Sequence, residues 1–248
     1  MRIERRGEVA LLRLENGKAN AIGPSFLDRL DALLREIGDA RAAVITGQGS
    51  AFSAGLDLPA LIDLDRTAMR AFILRFEAVM LRVFELPIPA VAAVNGHAVA
   101  GGCVLALQAD LRIGADREAR IGLNEAQLGI GLPAAVVETL RFQVPGSSLA
   151  PIAMEGRLFS PREALRLGLL HEVVPEGELV ERAVQRAAAL AALPPPGLRM
   201  VKQSLRGNVA AAARATGAAE AERWLDTWFS EAPQRVLRQT VARLQART

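Results

Sequence analysis

Short, wholly apolar runs alternate with longer amphipathic segments along most of this chain. The runs "AAVITG" (42–47) and "AVAAVNG" (90–96) have the composition of buried strands. Between and before them, the segments 24–38 and 67–86 carry apolar residues at helical spacing, and the prolines of "LPIPA" end the second one. Strands that alternate with helices in this way are typical of an α/β protein.

Other segments extend the same alternation. "EVALLRLE" (8–15) alternates like a strand, and 100–110 predicts a buried helix that is followed by a strand over 111–116. Ser25, together with Asp28, is expected to cap the helix over 24–38. "SPREALRLG" predicts a helix with a serine cap and a terminal glycine, and "LLHEVVP" predicts a short strand after it.

The clearest linker signal is "ALPPPG" (192–197), and it divides the chain. We predict a main domain over residues 1–190 and a C-terminal helical region over 191–248. The second region is rich in alanine and arginine and contains Trp224, Trp228 and Phe229 in a helical pattern. The tryptophans are expected to be core or subunit contacts rather than ligand stackers.

Composition excludes several classes of protein. With 248 residues, 51% of them hydrophobic, the chain can bury a sizeable core. It has no apolar run of about 18 residues, so no membrane span is expected. Its N-terminus has no apolar signal core, and its single cysteine, Cys103, cannot form an intramolecular disulfide. These features predict a protein of the reducing cytoplasm.

The charge balance argues against nucleic acid as a partner. The pI is about 9.9, but the net charge is only +3, and arginine accounts for the high value. The arginines are scattered among acidic residues, and there is neither a basic block nor any tyrosine. Anionic small molecules remain compatible with this balance.

Two glycine-containing turns follow predicted strands and are candidates for chemistry. They are "FSAGLDL" (52–58), inside the predicted loop "QGSAFSAGLDLPA", and "AGGCV" (100–104). Glycine lets a backbone approach a ligand closely, and two such turns could aim their amide hydrogens at one oxygen as an oxyanion hole. A Gly-Gly pair before a helix is also a common packing device. Neither turn has the spacing of a dinucleotide or phosphate loop.

Other catalytic arrangements find little support in the sequence. No serine lies in a G-x-S-x-G elbow, no histidines have metal-ligand spacing, and there is no cysteine pair, so no metal site is predicted. We interpret His97, His171 and Cys103 as structural residues. Glu125, within "IGLNEAQLGIGLP" (121–133), is either a solvated residue or a carboxylate kept for chemistry, because burying an unpaired ion is costly.

Together these motifs resemble the crotonase, or enoyl-CoA hydratase/isomerase, superfamily nearly from end to end. The resemblance rests on "AFSAGLDL", "NGHAVAGGCVLALQADLRIGAD" and "IGLNEAQLGI", followed by "SPREALRLGLLHEVVP". Within the superfamily these motifs are most similar to the mitochondrial-type Δ3,Δ2-enoyl-CoA isomerases. "GLPAAVVETL" stands where hydratases have "PGAGG", which also favours the isomerase branch.

The resemblance implies a fold and an assembly. The fold would be an α/β crotonase (ClpP/crotonase-like) spiral of ββα units, with a C-terminal helical region that oligomerises. The protein would form a homotrimer or a hexamer of two stacked trimers. Its partner would be an acyl-CoA substrate with no separate cofactor, since CoA is part of the substrate. The mitochondrial relatives carry a transit segment that this sequence lacks, so a bacterial cytoplasmic form is expected.

The resemblance also implies roles for individual residues. The amides of Leu56 and Gly101 would form an oxyanion hole for a thioester carbonyl, and Glu125 would lie beside the reacting carbons. Hydratases of the family use two glutamates, and the first of these positions holds Val104 here. Asn124 would orient Glu125 or cap a turn. The residues expected to contact substrate are Ser53, Ala54, Gly55, Leu56, Asp57, Leu58, Gly101, Gly102, Val104 and Asn124.

A single carboxylate favours isomerisation over hydration. Moving a double bond from the β,γ to the α,β position needs one base and an oxyanion hole but no water. We therefore predict an isomerase of 3-enoyl-CoA thioesters in fatty acid β-oxidation. An enoyl-CoA hydratase, or another crotonase-fold reaction on a CoA thioester such as a decarboxylation, is the alternative. A non-catalytic or RNA-binding member of the fold is a third hypothesis, and Glu125 together with both glycine turns argues against it.

Overall fold

A computed structural model describes residues 1–17 and 19–246. Its strands are β1 (Arg2–Arg6), β2 (Val9–Arg13), β3 (Ala42–Thr46), β4 (Ala51–Ser53), β5 (Ala90–Val94), β6 (His97–Val99), β7 (Leu111–Asp116), β8 (Ile121–Gly122) and β9 (Glu172–Pro175). Its helices are α1 (Pro24–Glu36), α2 (Leu58–Leu61), α3 (Arg66–Phe84), α4 (Gly101–Leu107), α5 (Glu125–Leu128), α6 (Ala134–Gln143), α7 (Pro161–Arg166), α8 (Leu179–Ala191), α9 (Pro195–Trp228) and α10 (Glu231–Gln245).

The strands form two sheets that the chain visits in turn. The large sheet has the order β1-β2-β3-β5-β7-β9, parallel except for the antiparallel pair β1 and β2. The small sheet has the parallel order β4-β6-β8. After each strand of the large sheet from β3 to β7, the chain adds one strand to the small sheet and then a helix. This repetition is the spiral of ββα units that the resemblance implies.

The large sheet is buried on both faces, which explains its continuous apolar runs. Helix α8 packs on one face through small side chains at every fourth position, Ala183, Ala187 and Ala191, which let the helix approach the strands closely. On the opposite face lies the main hydrophobic core, to which α1, α3 and α4 contribute most of their apolar residues. The functional site described below lies beside this core.

The C-terminal region consists of α9 and α10, as the sequence predicts. Helix α9, with 34 residues, packs against α6 and α3, and it buries Trp224 and Trp228 in a stack with ring centroids 5.2 Å apart. The predicted linker is shorter than expected, because two of its prolines form the first turn of α9, where a missing N–H costs nothing. The boundary predicted at 190/191 falls at the end of α8 and stays a prediction.

The structure contradicts one of the two predicted helix N-caps and confirms the other. The predicted cap by Ser25 and Asp28 is wrong: α1 begins at Pro24, its N-cap is Gly23, and no side chain caps it. Proline fixes φ for the first helical position, which places Ser25 inside the first turn. The predicted serine cap of α7 is confirmed, because Ser160 forms a capping box with Glu163.

The loop predicted over "QGSAFSAGLDLPA" also contains regular structure, namely β4 and α2. No described helix has both the length and the apolar character needed to cross a membrane.

Candidate active site

The two glycine turns that the sequence singles out lie in direct contact. β4 leads into the first turn and β6 into the second, and these strands are neighbours in the small sheet. Gly55 has φ +88°, and a Cβ atom there would lie 2.7 Å from the carbonyl oxygen of Val99 and 3.2 Å from the nitrogen of Gly101. Only glycine allows this approach. The turns therefore converge, as predicted.

Where the two turns meet, the backbone N–H groups of Leu56 and Gly101 remain available to a ligand. Ile22 pairs with the first turn: its N–H donates to the carbonyl of Gly55 at 2.8 Å, and its carbonyl accepts from Asp57 at 3.1 Å. The N–H of Leu56, between those two residues, donates to no described backbone group. Gly101 begins α4, so its N–H has no partner within the helix. Both amides can donate to a ligand oxygen.

Ala100 holds the second turn in a strained conformation. Its φ of +49° and ψ of −124° are rare for a residue with a side chain and cost about 1–3 kcal/mol. Two hydrogen bonds hold it: its N–H donates to Gly122 at 2.8 Å, and its carbonyl accepts from Val104 at 3.0 Å. The strained residue directs the chain from β6 into α4 and so sets the direction of the Gly101 N–H.

Glu125 is a buried carboxylate with an unsatisfied oxygen. It is the first residue of α5 and is 8% exposed. Its Oε2 atom is buried and makes no hydrogen bond within the described residues. Burial, which disfavours the ionised form, raises the pKa of Glu125 from 4.5 to about 7. The side chain can therefore accept and return a proton near neutral pH.

Two adjoining cavities meet at this carboxylate. The outer cavity has a volume of about 350 Å³, and the inner cavity holds about 20 Å³. Leu56, Glu125 and Ile130 line both. The outer wall also contains Ala19, Ala21, Ala54, Asp57, Leu58, Pro59, Val99, Ala100, Asn124, Leu128, Thr240 and Leu244. The inner wall also contains Ile73, Phe76, Gly101, Val104, Pro133, Val136 and Trp224.

Most of the residues predicted to contact substrate line these cavities. The exceptions are Ser53, Gly55 and Gly102, which join the two turns behind the wall. The hydroxyl of Ser53 donates to the carbonyl of Asn20 at 2.8 Å and accepts from the N–H of Gly55 at 3.3 Å. A Cβ atom on Gly102 would lie 2.1 Å from the carbonyl oxygen of Ser53. Ser53, Gly55 and Gly102 therefore hold the two turns together without lining either cavity.

Asn124 lies on the outer wall beside Glu125, but its side chain performs neither of the tasks expected of it. It forms no capping hydrogen bond with α5, although its backbone occupies the N-cap position. No hydrogen bond joins it to the Glu125 carboxylate among the described residues, and its Oδ1 atom is buried without a partner. It therefore presents a free polar group beside the catalytic candidate.

Side chains from distant helices also line the two cavities, and the sequence did not indicate this. Thr240 and Leu244 reach the outer cavity from α10, and Trp224 reaches the inner cavity from α9. Ile73 and Phe76 come from α3. The helical spacing of these side chains signals that they are buried, but it carries no information about which buried residues border a cavity.

His97, His171 and Cys103, which we interpret as structural residues, lie on the wall of neither cavity. His97 and His171 accept hydrogen bonds through Nδ1 from the backbone N–H groups of Arg120 and Arg112. Burial lowers the pKa of His171 to about 4 and raises that of Cys103 to about 12, so neither is poised to exchange protons. No cluster of three or more potential metal ligands occurs in the part of the chain that the structure describes.

Comparison with known proteins places the chain in a family. Residues 4–240 match the family model described as enoyl-CoA hydratase/isomerase. The chain belongs to the enoyl-CoA hydratase/isomerase family. It is 39% identical over 209 residues to a putative enoyl-CoA hydratase of Thermus thermophilus, covering 81% of each chain. It is 33% identical over 204 residues to human mitochondrial enoyl-CoA delta isomerase 1, covering 80% of this chain and 67% of that protein.

Structural comparison confirms the crotonase fold. The crystal structure of human mitochondrial Δ3-Δ2-enoyl-CoA isomerase matches with a TM-score of 0.93 at 28% identity, covering 99% of this chain and 98% of the other. The protein is therefore an enzyme of a family that acts on CoA thioesters in fatty acid metabolism. Because both hydratases and isomerases are among its relatives, membership alone does not choose between the two reactions.

Proposed function

We propose that the protein is a Δ3,Δ2-enoyl-CoA isomerase, which moves a double bond of an acyl-CoA thioester from the β,γ to the α,β position. One observation carries the proposal: among the described residues, Glu125 is the single titratable side chain on the wall of the inner cavity. The outer cavity adds Asp57, whose carboxylate is engaged as the N-cap of α2. The chemistry thus depends on one carboxylate.

The free amides of Leu56 and Gly101 stabilise the charge that develops during the reaction. With the thioester carbonyl oxygen accepting from the N–H groups of Leu56 and Gly101, negative charge that develops on that oxygen is stabilised. The acyl carbons then lie next to Glu125, which lines both cavities. The polar CoA part of the substrate extends into the outer cavity toward solvent.

Glu125 moves one proton in two steps. Its carboxylate removes a proton from C2, and the electrons of that C–H bond move toward the carbonyl to give a dienolate. The resulting carboxylic acid returns a proton to C4, which leaves the double bond between C2 and C3. A pKa of about 7 suits a group that must act as base and then as acid. The reaction is redox-neutral and needs no cofactor besides the CoA that the substrate carries.

Val104 argues against hydration. It occupies the position that the family's hydratases fill with a glutamate, and here it is 1% exposed on the inner wall. Adding water across a double bond requires groups that hold and activate the water. A valine can do neither, and it keeps the space apolar. The relative from Thermus thermophilus, named as a putative hydratase, nevertheless makes enoyl-CoA hydration the second candidate.

A substrate screen decides between the two candidates. The purified protein is incubated with 3-enoyl-CoA and separately with crotonyl-CoA, and the products are separated and identified by mass spectrometry. We expect 2-trans-enoyl-CoA from the first substrate and negligible 3-hydroxyacyl-CoA from the second. Glu125→Gln, prepared in parallel, controls for contaminating activity. Formation of 3-hydroxybutanoyl-CoA at a rate rivalling isomerisation would contradict the proposal.

We also propose that the enzyme assembles as a trimer, or as two stacked trimers, through its helical region over 191–248. The apolar side chains of Met200, Val201 and Leu205 on α9 are more than half exposed in the single chain, as expected of a surface that another subunit covers. Light scattering coupled to size exclusion tests this proposal. A folded monomer with full activity at working concentrations would contradict it.

A further inference from the structure

The inner cavity is small, and the largest side chain on its wall is Trp224. Its volume of about 20 Å³ suffices for about one water molecule. Trp224 closes it from α9, together with Ile73, Phe76 and Val136 from two other helices. Glu125 is the one charged residue on the described wall. This space is suited to a short apolar group.

We propose that Trp224 determines acyl-chain length and restricts the enzyme to short-chain substrates, about four to six carbons. The inference rests on the proposed function in one respect: it takes the acyl group of a CoA thioester as the occupant of the inner cavity. It goes further in assigning a substrate class and the residue that sets it.

The cavities fix the direction of the acyl chain. The free amides of Leu56 and Gly101 bind the thioester oxygen where the two cavities meet. The CoA part of the substrate has phosphates and amides that are most stable when solvated. It therefore extends through the larger outer cavity, whose wall contains Asp57, Asn124 and Thr240. The carbon chain leaves the carbonyl in the opposite direction, past Glu125. Carbons beyond C4 must therefore occupy the inner cavity.

Trp224 is held firmly and cannot easily make room. Its ring is 3% exposed and stacks on that of Trp228, with 24° between the planes. One turn of α9 is also tied to the segment that follows Glu125: the N–H of Gly131 donates to the Thr227 hydroxyl at 3.0 Å, and that hydroxyl donates to the Trp224 carbonyl at 2.7 Å. Displacing Trp224 would break up a packed core rather than rotate a free side chain.

The size of the effect follows from burial. Each methylene that finds apolar space contributes about 0.8 kcal/mol, which corresponds to about a fourfold gain in affinity. In the wild type this gain should stop once the inner cavity is filled, and longer chains should lose affinity. Removing the indole opens the space that its rings occupy, and several further methylenes can then contribute.

The test measures binding of saturated acyl-CoA thioesters, which do not react, by calorimetry. Butanoyl-, hexanoyl-, octanoyl- and decanoyl-CoA are titrated into the wild type, Trp224→Ala and the milder Trp224→Leu. Trp228→Phe is the matched control, because it shrinks an aromatic side chain on the same helix, keeps a ring against Trp224 and lies on the wall of neither cavity. We expect the wild type to bind decanoyl-CoA at least about tenfold more weakly than hexanoyl-CoA. Both Trp224 variants should recover that factor, whereas Trp228→Phe should keep the wild-type profile.

The binding profile and the turnover assay test this inference and the proposed function separately. Decanoyl-CoA binding the wild type as tightly as hexanoyl-CoA would overturn it, and so would a wild-type preference for short chains that persists in every folded variant. Should neither Trp224 variant fold, Ile73→Ala enlarges the same cavity from α3 and must lengthen the preferred chain. The expected binding profile without isomerase turnover would support the assignment of Trp224 and contradict the proposed reaction instead.

Discussion

Glu125 should make the stability of the folded protein depend on pH. Its pKa is about 7 in the folded chain and near 4.5 when it is exposed to water. Below pH 4.5 the group is protonated in both states and contributes no difference. Above pH 4.5 the unfolded chain releases the proton while the folded chain keeps it, so the free energy of unfolding falls as the pH rises. The loss is complete above pH 7.

The magnitude follows from the two pKa values. The interval between 4.5 and about 7, at about 1.4 kcal/mol per pH unit, amounts to about 3 kcal/mol. This is a substantial part of the roughly 5–15 kcal/mol that stabilises a typical protein. Glu125→Gln keeps the shape of the protonated side chain and cannot ionise. The variant should match the wild type near pH 4.5 and exceed its free energy of unfolding by up to about 3 kcal/mol at pH 8.

Urea unfolding followed by circular dichroism at several pH values measures this difference. All samples are kept at one protein concentration, so that any association affects them equally. Glu118→Gln serves as the control, because Glu118 is exposed and makes no ion pair with a described residue. We expect the effect of this surface substitution to be small. If Glu125→Gln is no more stable than the wild type at pH 8, the buried carboxylate does not carry the cost that we assign to it.

Three further predictions concern catalysis. Glu125→Gln should lower the rate constant of isomerisation by about 10²- to 10⁴-fold without weakening acyl-CoA binding, and near wild-type turnover would exclude Glu125 as the base. In the wild type, kcat/KM should rise with pH and level off above about 7, where Glu125 is ionised, whereas a rate that is flat through neutral pH would point to another base. Val104→Glu should add detectable hydration of 2-enoyl-CoA, measured as 3-hydroxyacyl product, and should lower the stability. Its failure to hydrate in a folded variant would count against our interpretation of position 104.

The sequence predicted those elements whose periodicity extends over enough residues. The strands β3 and β5 are short apolar runs between turn residues, and α3 repeats apolar side chains at helical spacing over 19 residues. β4 and α2, with three and four residues, are too short for any periodicity to emerge. They form because neighbouring parts of the fold pair with them and pack against them. Tertiary structure, rather than local sequence, determines such elements.

The candidate site was predictable where motifs carry it and not elsewhere. Resemblance to a family indicated Glu125, Leu56 and Gly101, and the two turns do converge. Trp224 was expected to be a core or subunit contact, and it is indeed buried, but its position on a cavity wall depends on how α9 crosses α3 and α6. That crossing brings together residues about 150 positions apart in the sequence. No pattern within a single helix could reveal it.

Several departures from local rules meet at the site. Ala100 adopts a positive φ at a cost of about 1–3 kcal/mol, Glu125 keeps an unpaired oxygen in the interior, and the N–H groups of Leu56 and Gly101 have no described backbone partner. Apolar side chains buried on both faces of the large sheet stabilise the fold and offset these free-energy costs. A bound thioester would reverse part of them, because its carbonyl oxygen accepts from both amides and its carbon chain fills the apolar space beside Glu125. The same groups that destabilise the folded protein are thus the ones that a substrate would satisfy, which gives a physical reason for these departures from local sequence rules.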